Sequence, residues 1–319
     1  MAQEDDRGML AFNFARDDQL REMLGGPTSK LFDAVHENNL KLVEQISKEN
    51  PELIAAEDPD GDTPLAIALW EKNWDIAMFF CRHPAALGYV GYPGSQGDTP
   101  LHQACKWEDE AKGIQLVLAL LKAGADVNMK SMRNDEYHGG NYEKKNELTG
   151  KMMEISAEHR TPIFDAIEAG NDGIVACLLD RDAINVNSRD GDGCTPLYLA
   201  LDEEEDNIAE MLLKKGADSE IGNMDIGDDN TLLAWACSRN MTNYVELLLK
   251  YKADPNVPGK SGLYPLHMAA RSGGKQIIEA LLIAGADKNK KDPSGKTPRE
   301  IAEKNVRSVK NGCVELLKE

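Results

Sequence analysis

The fold of this chain is decided by residues 99–128. They begin with Thr99-Pro100-Leu101-His102-Gln103-Ala104 and end with Leu120-Leu121-Lys122-Ala123-Gly124-Ala125-Asp126-Val127-Asn128. A threonine hydroxyl can cap the start of a helix, and a following proline suits the first helical position, where no N–H donor is needed. A glycine suits the end of a helix because it adopts positive φ without strain. The stretch therefore predicts two short helices followed by a turn.

The opening triplet of this stretch recurs along the chain. Its copies lie 33 to 36 residues apart, except that 62 residues separate Thr99 from Thr161. The copies are Thr63-Pro64-Leu65, Thr99-Pro100-Leu101, Thr161-Pro162-Ile163, Thr195-Pro196-Leu197, Thr231-Leu232-Leu233, Tyr264-Pro265-Leu266 and Thr297-Pro298-Arg299. Such spacing indicates an array of similar units, with extra residues inserted between two of them.

Units of about 33 residues, each with two helices and a turn, are typical of ankyrin-repeat proteins. This chain resembles that family. The resemblance implies an all-α ankyrin-repeat solenoid, in which helix-turn-helix units stack and are joined by short β-hairpin fingers. Each unit leaves an apolar face bare until its neighbour covers it, so we expect stacking to form the core.

The resemblance also predicts the domain organisation. Residues 1–28 form an N-terminal arm that carries the apolar segment Met9–Phe14. Residues 29–319 form one repeat domain of about eight units, with atypical units at both ends where one face meets water. The long interval places an insertion at residues 131–159. The arm and the insertion each have two interpretations: packing against the repeats, or binding a partner.

Some positions depart from the repeat pattern. Lys252 stands where the glycine that ends the second helix belongs, and Arg181-Asp182 replace that glycine in another unit. Glu204 stands where a glycine usually joins the two helices. A non-glycine residue with positive φ costs about 1 kcal/mol, so we expect local strain wherever the glycine's conformation is kept.

The composition limits the classes of partner. Thirty-six basic residues against fifty-five acidic ones give a formal net charge of −19 at pH 7. Nucleic-acid binding depends on clustered lysine and arginine, so the sequence predicts no nucleic-acid partner. Apolar runs are too short for direct membrane insertion. Six scattered cysteines, with none at C-x-x-C spacing, favour a reducing compartment. We therefore expect a cytoplasmic protein, with the nucleus or a cytoplasmic assembly as alternatives.

The sequence offers no candidate catalytic, cofactor-binding or metal-binding residue. Gly259-Lys260-Ser261 and Gly295-Lys296-Thr297 resemble the end of a phosphate loop, but Asp254 and Lys290 stand where its first glycine belongs. His102 and His267 occupy the histidine position of the repeat, and the resemblance implies structural hydrogen bonds for them. The sequence predicts that the protein is not an enzyme and needs no cofactor.

The resemblance implies binding through finger tips, the concave face of the first helices and the loop insertion. Aromatic side chains are good interface anchors, and charged clusters can attract a partner. The candidate partner-binding residues are Tyr89 and Tyr92 in one finger, Tyr137 and Tyr142 in the insertion, and the carboxylates Glu108, Asp109, Glu110, Glu203, Glu204 and Glu205. The alternatives are that the tyrosines pack on the body and that the carboxylates form a solvated face.

These features predict a protein-protein interaction module that serves as a scaffold or adaptor subunit of a larger complex. We expect one or more protein partners, with a basic surface as one candidate, and a monomer within that hetero-complex. The alternative from a different class is a regulator or inhibitor of a partner enzyme.

If the insertion is a free loop, it should be the first internal segment that a protease cuts. Residues 131–159 contain Gly139-Gly140-Asn141 and dense charge, without apolar periodicity of helical length before Met152. Limited proteolysis with mass-spectrometric mapping of the fragments tests this expectation. First cuts elsewhere, with 131–159 intact, would show instead that the segment is packed.

Overall fold

The structure is a computed structural model. It describes residues 27–318 except 59, 84–89, 92–93, 95–96, 132–143, 146–151, 154–158, 222–230 and 260. The chain divides into two compact units, which we call unit 1 (residues 1–184) and unit 2 (residues 185–319). Each unit is built from consecutive pairs of antiparallel helices, one pair to a repeat.

The described residues of unit 1 form four helix pairs. Its helices are α1 (Pro27–His36), α2 (Leu40–Glu49), α3 (Pro64–Trp70), α4 (Trp74–Arg82), α5 (Pro100–Cys105), α6 (Glu110–Lys122), α7 (Pro162–Glu168) and α8 (Asp172–Leu179), with a 3₁₀ helix at Pro51–Ala55. The first helices of the pairs pack side by side in the order α1, α3, α5, α7, and the second helices in the order α2, α4, α6, α8.

In the part of unit 2 that the structure describes there are also four helix pairs, and the last pair is irregular. Its helices are α9 (Pro196–Asp202), α10 (Asp206–Lys215), α11 (Leu232–Ser238), α12 (Thr242–Lys250), α13 (Pro265–Ser272), α14 (Lys275–Ile283), α15 (Pro298–Lys304), α16 (Val306–Lys310) and α17 (Cys313–Leu316). The second half of the last repeat is thus broken into two short helices. Val306 on α16 is 84% exposed.

The recurring triplet starts the first helix of a pair, as predicted. The Oγ1 atoms of Thr63, Thr195 and Thr231 each accept a hydrogen bond of 3.2 Å from a backbone N–H three residues later. Where proline follows, it takes one of the first two helical positions. The third residue of the triplet enters the core: Leu65 and Ile163 are fully buried.

The fingers between repeats close as short hydrogen-bonded turns. In one finger the Asp58 N–H donates to the Asp62 carbonyl at 2.9 Å, and the Gly61 N–H donates to the Asp58 carbonyl at 3.1 Å. The Asp58 carboxylate also accepts the N–H groups of Asp60 and Asp62. Fingers starting at Asp190 and Asp292 repeat this pattern. Because so few residues form the turn, the predicted hairpin fingers keep the hydrogen bonds of a hairpin without regular strands.

Regular strands within the described residues occur in the insertion. There β1 (Lys144–Lys145) pairs antiparallel with β2 (Met152–Met153), with Lys144 opposite Met153. The rest of the described chain is helices and turns.

Positive φ occurs at two of the three departures from the repeat pattern and at further non-glycine residues. Glu204 has φ of 61° and Lys252 has φ of 69°. Asn38, Lys72 and Asn240 also have positive φ and occupy the corner between paired helices that Glu204 occupies. No such strain arises at Arg181-Asp182, where the Arg181 N–H closes the end of α8 on the Leu178 carbonyl at 3.1 Å. The corner geometry is therefore imposed by helix pairing and does not depend on glycine.

Lys252→Gly should raise the free energy of unfolding by about 0.5–1 kcal/mol, because glycine adopts positive φ without steric strain. Urea denaturation of the full chain measures the effect. Lys215→Gly is the control, since exposed Lys215 ends α10 at a helical position where glycine should cost about 1 kcal/mol. A loss of stability in both variants would contradict the strain at Lys252.

Candidate functional site

The four candidate tyrosines lie outside the described residues. Tyr89, Tyr92, Tyr137 and Tyr142 therefore remain predicted binding residues. The N-terminal arm up to Gly26 also lies outside the described part of the chain. The described candidates are the two groups of carboxylates and the point at which the insertion leaves the repeats.

The insertion starts and ends at adjacent positions. The Ser131 N–H donates to the Arg160 carbonyl at 2.8 Å, and the Arg160 N–H donates to Ser131 Oγ at 3.2 Å. The repeats on either side stay closely packed: a β carbon on Gly113 of α6 would lie only 2.8 Å from Cδ1 of Ile174 on α8. The insertion is thus an excursion from an intact contact between the third and fourth repeats.

The two repeat histidines connect neighbouring repeats. Nε2 of His102 lies 2.8 Å from the Arg160 carbonyl oxygen, and Nδ1 accepts the Thr99 N–H at 3.3 Å. His267 repeats the arrangement with the Lys296 carbonyl and the Tyr264 N–H, and burial lowers the pKa of its imidazole. Both rings are fully buried, so they support the stack and are closed to a partner.

The first group of carboxylates is partly used by the fold. Asp109 caps α6 by accepting the Lys112 N–H at 3.1 Å. Glu110 Oε1 accepts the Gly173 N–H at 2.8 Å and so caps α8 in the next repeat. Glu108 makes no hydrogen bond to a described residue, although its charge raises the pKa of Lys72 against the larger, lowering effect of burial. All three carboxylates are exposed, but only Glu108 is free of a capping role.

The second group lies at the corner between α9 and α10, and its outer members are paired. Asp202 Oδ1 accepts a bond of 3.1 Å from Arg239, and Asp206 Oδ1 accepts one of 3.3 Å from Asn243. The side-chain carboxylates of Glu203, Glu204 and Glu205 form no hydrogen bond or salt bridge with a described residue. Glu203 and Glu204 are exposed, Glu205 is half-buried, and the middle residue has positive φ.

The two groups of carboxylates belong to different units. Glu108, Asp109 and Glu110 lie in unit 1, and the others lie in unit 2.

The structure contains a buried charge cluster that the sequence did not predict. The Lys106 ammonium, at the end of α5, lies 2.9 Å from Asp98 Oδ2 and 3.1 Å from Asp165 Oδ1 on α7. Burial raises the pKa of Asp165 to about 6, although Lys106 opposes the shift. One signal could have found it: Asp165 follows Thr161-Pro162-Ile163-Phe164 inside the apolar part of a first helix, where a solvated carboxylate is not expected.

The described residues contain no cluster of three or more histidine, cysteine, aspartate or glutamate side chains that could hold a metal ion. None of the helices in the described ranges is long and apolar enough to cross a membrane.

The geometry of paired helices, capped starts and finger turns defines the class of protein. The family model for ankyrin repeats, in three copies, matches residues 31–131, 138–223 and 219–292. This chain belongs to the ankyrin-repeat family. Ankyrin repeats are protein-protein interaction modules and form a non-catalytic family, so binding to protein is the activity that the fold provides.

Two curated relatives and one solved structure show the range of the similarity. Human Rabankyrin-5 is 30% identical over 240 residues, which cover 71% of this chain and 18% of that protein. The mouse B-cell lymphoma 3 protein homolog is 29% identical over 250 residues, which cover 77% of this chain and 49% of that protein. The chain thus spans about a fifth and about half of these two relatives.

The solved structure is the ankyrin repeat domain of Bcl-3, described as a unique member of the IkappaB protein family. It superposes with a TM-score of 0.62 at 25% sequence identity, covering 82% of this chain and 100% of that domain.

Glu110→Ala should lower the free energy of unfolding by about 1 kcal/mol, because it removes the acceptor at the start of α8. Glu108→Ala, two positions earlier, should change stability by less than about 0.5 kcal/mol. Chemical denaturation of both variants measures the difference. Equal effects would mean that the contact between Glu110 and Gly173 contributes nothing.

Proposed function

We propose that this chain is a scaffold or adaptor subunit that binds a protein partner with a basic surface. The observation that carries the proposal is a stack of protein-binding repeats that presents Glu203, Glu204 and Glu205 without a neutralising group among the described residues. We place one contact surface at this corner of unit 2.

The electrostatics favour a basic partner. The chain carries a formal net charge of −19, and a field of one sign speeds association with a surface of the opposite sign. Three adjacent carboxylates repel one another, and Glu204 adds the strain of positive φ. A partner that contributes lysine or arginine would relieve the repulsion on binding. Solubility alone is the alternative explanation of the charge.

The second candidate function is regulation or inhibition of a partner enzyme. The similarity to Bcl-3, a protein described as an IkappaB family member, favours it. The two functions use the same fold and differ in what binding does to the partner.

The cytoplasm, or the nucleus, is the compartment that we propose. None of the six cysteines forms a disulfide, and five of them are buried. Burial raises the pKa of the Cys81 thiol to about 12, which keeps it protonated and unreactive. A reducing compartment suits a set of cysteines without disulfides.

The contact surface is tested by association kinetics. A partner is first captured with the full chain and identified by mass spectrometry. Replacing Glu203, Glu204 and Glu205 with Gln should then slow association about three- to tenfold at low salt, and the difference should vanish at high salt, where charges are screened. The control changes the same net charge in unit 1 through Glu44→Gln, Glu52→Gln and Asp180→Asn, and it should associate nearly as fast as the parent.

Equal rates for the parent and the corner variant across the salt series would reject this surface. Turnover of an enzymatic partner separates the two functions. A change in the partner's kcat or KM on binding favours regulation, whereas unchanged kinetics with joint recovery of further subunits favours a scaffold.

A further inference from the structure

The cluster of Asp98, Lys106 and Asp165 has more negative than positive charge. The side chains of both aspartates are 5% exposed, whereas that of Lys106 is 33% exposed. One ammonium is therefore shared by the two buried carboxylates. Removing charge from water is costly unless each charge is matched, so the second carboxylate is held unfavourably when it is ionised.

Two buried acceptors on α5 and α7 have no hydrogen-bond partner: Oε1 of Gln103 and Oδ2 of Asp165. Both residues occupy the fourth position of their helices, Gln103 in α5 and Asp165 in the neighbouring α7. A proton on Asp165 would remove the surplus charge and convert its orphan acceptor into a donor.

Other titratable and charged groups face this cluster from every element around it. The Arg160 guanidinium lowers the pKa of Asp165 but forms its own salt bridge of 2.5 Å with Glu168. Lys72 contacts the backbone carbonyl of Lys106 rather than a carboxylate. The remaining groups are His102 and Cys105 on α5 and Cys177 on α8. Because Lys106 is shared with Asp98, the Asp165 carboxylate is the group of this cluster that a proton neutralises most easily.

We propose that Asp165 is a proton-operated latch between the third and fourth repeats: protonation of its carboxyl tightens the packing of α5 against α7. The proton comes from solvent and is released when the pH rises. The latch lies at the base of the insertion, because the Arg160 carbonyl accepts the Ser131 N–H and lies against the His102 ring. Mild acidification therefore stabilises the packing of α5 against α7 at the base of the insertion, and neutral pH weakens it.

The pKa of Asp165 determines whether stability rises or falls with pH and over which pH range it changes. Its folded value of about 6 is above the value of 3.8 for a free aspartate, because burial penalises the charged form. The folded state binds the proton more tightly, so stability is greatest at low pH and is lost as the pH rises through about 6. Between pH 5 and pH 7.5 the opening equilibrium of this contact should change about tenfold.

Hydrogen exchange and carboxyl NMR test the latch on the full chain. After correction for intrinsic rates, backbone amides in α7 of the parent should be about tenfold better protected at pH 5 than at pH 7.5. Asp165→Asn, whose neutral amide resembles the protonated carboxyl, should give equal protection at both values. Asp180→Asn is the matched control, because Asp180 is 82% exposed and ends the neighbouring α8, and it should behave like the parent.

The NMR titration uses the parent chain, so it tests the proposal even if Asp165→Asn fails to fold. The side-chain carboxyl carbon of Asp165 in the parent should titrate near 6, and Lys106→Met should move that midpoint upward by removing the shared cation. A midpoint at the ordinary aspartate value would overturn the proposal. The same pH response of α7 protection in Asp165→Asn and in the parent would also overturn it.

Discussion

The structure depends on one constraint: a single helix pair cannot bury its own apolar face. Leu65, Leu101 and Ile163 occupy equivalent positions and are fully buried only because a neighbouring first helix covers each of them. Stability is therefore a property of contacts between repeats, and each repeat must present its helices at the same spacing as the last. The left-handed corners at Asn38, Lys72, Glu204 and Asn240 are consequences of that spacing.

The same constraint explains how a long insertion is tolerated. Its two ends meet at Ser131 and Arg160, where backbone hydrogen bonds and the buried His102 ring join them to the third repeat. The helices on either side keep their close contact through Gly113 and Gly173. Extra residues can thus be added to a finger at the cost of loop entropy alone, which grows slowly with length. Fingers are therefore where such an array can gain new binding elements.

The carboxylates of this protein have two kinds of role. Some carboxylates belong to the fold: Asp109 and Glu110 cap helices, and Asp202 and Asp206 pair with the next repeat. Others, such as those of Glu203 and Glu204, are exposed, form no hydrogen bond or salt bridge with a described residue and are available to a partner. Asp165 belongs to neither class, since it is buried beside a lysine that it shares with Asp98. Such a group links the stability of the array to pH, where a surface carboxylate would not.

The sequence by itself determined the repeat register, the capped helix starts and the family, because the Thr-Pro-Leu triplet and its spacing encode local geometry that each repeat needs regardless of context. It also located the insertion and the strained Glu204 and Lys252. It could not separate the capping Glu110 from the free Glu108, since that difference depends on the Gly173 N–H in the following repeat. Nor did it reveal the cluster of Asp98, Lys106 and Asp165, whose members lie up to 67 positions apart in the chain. Only the tertiary structure decided these roles, because the partners of a side chain and the water around it are set by which repeat packs against it.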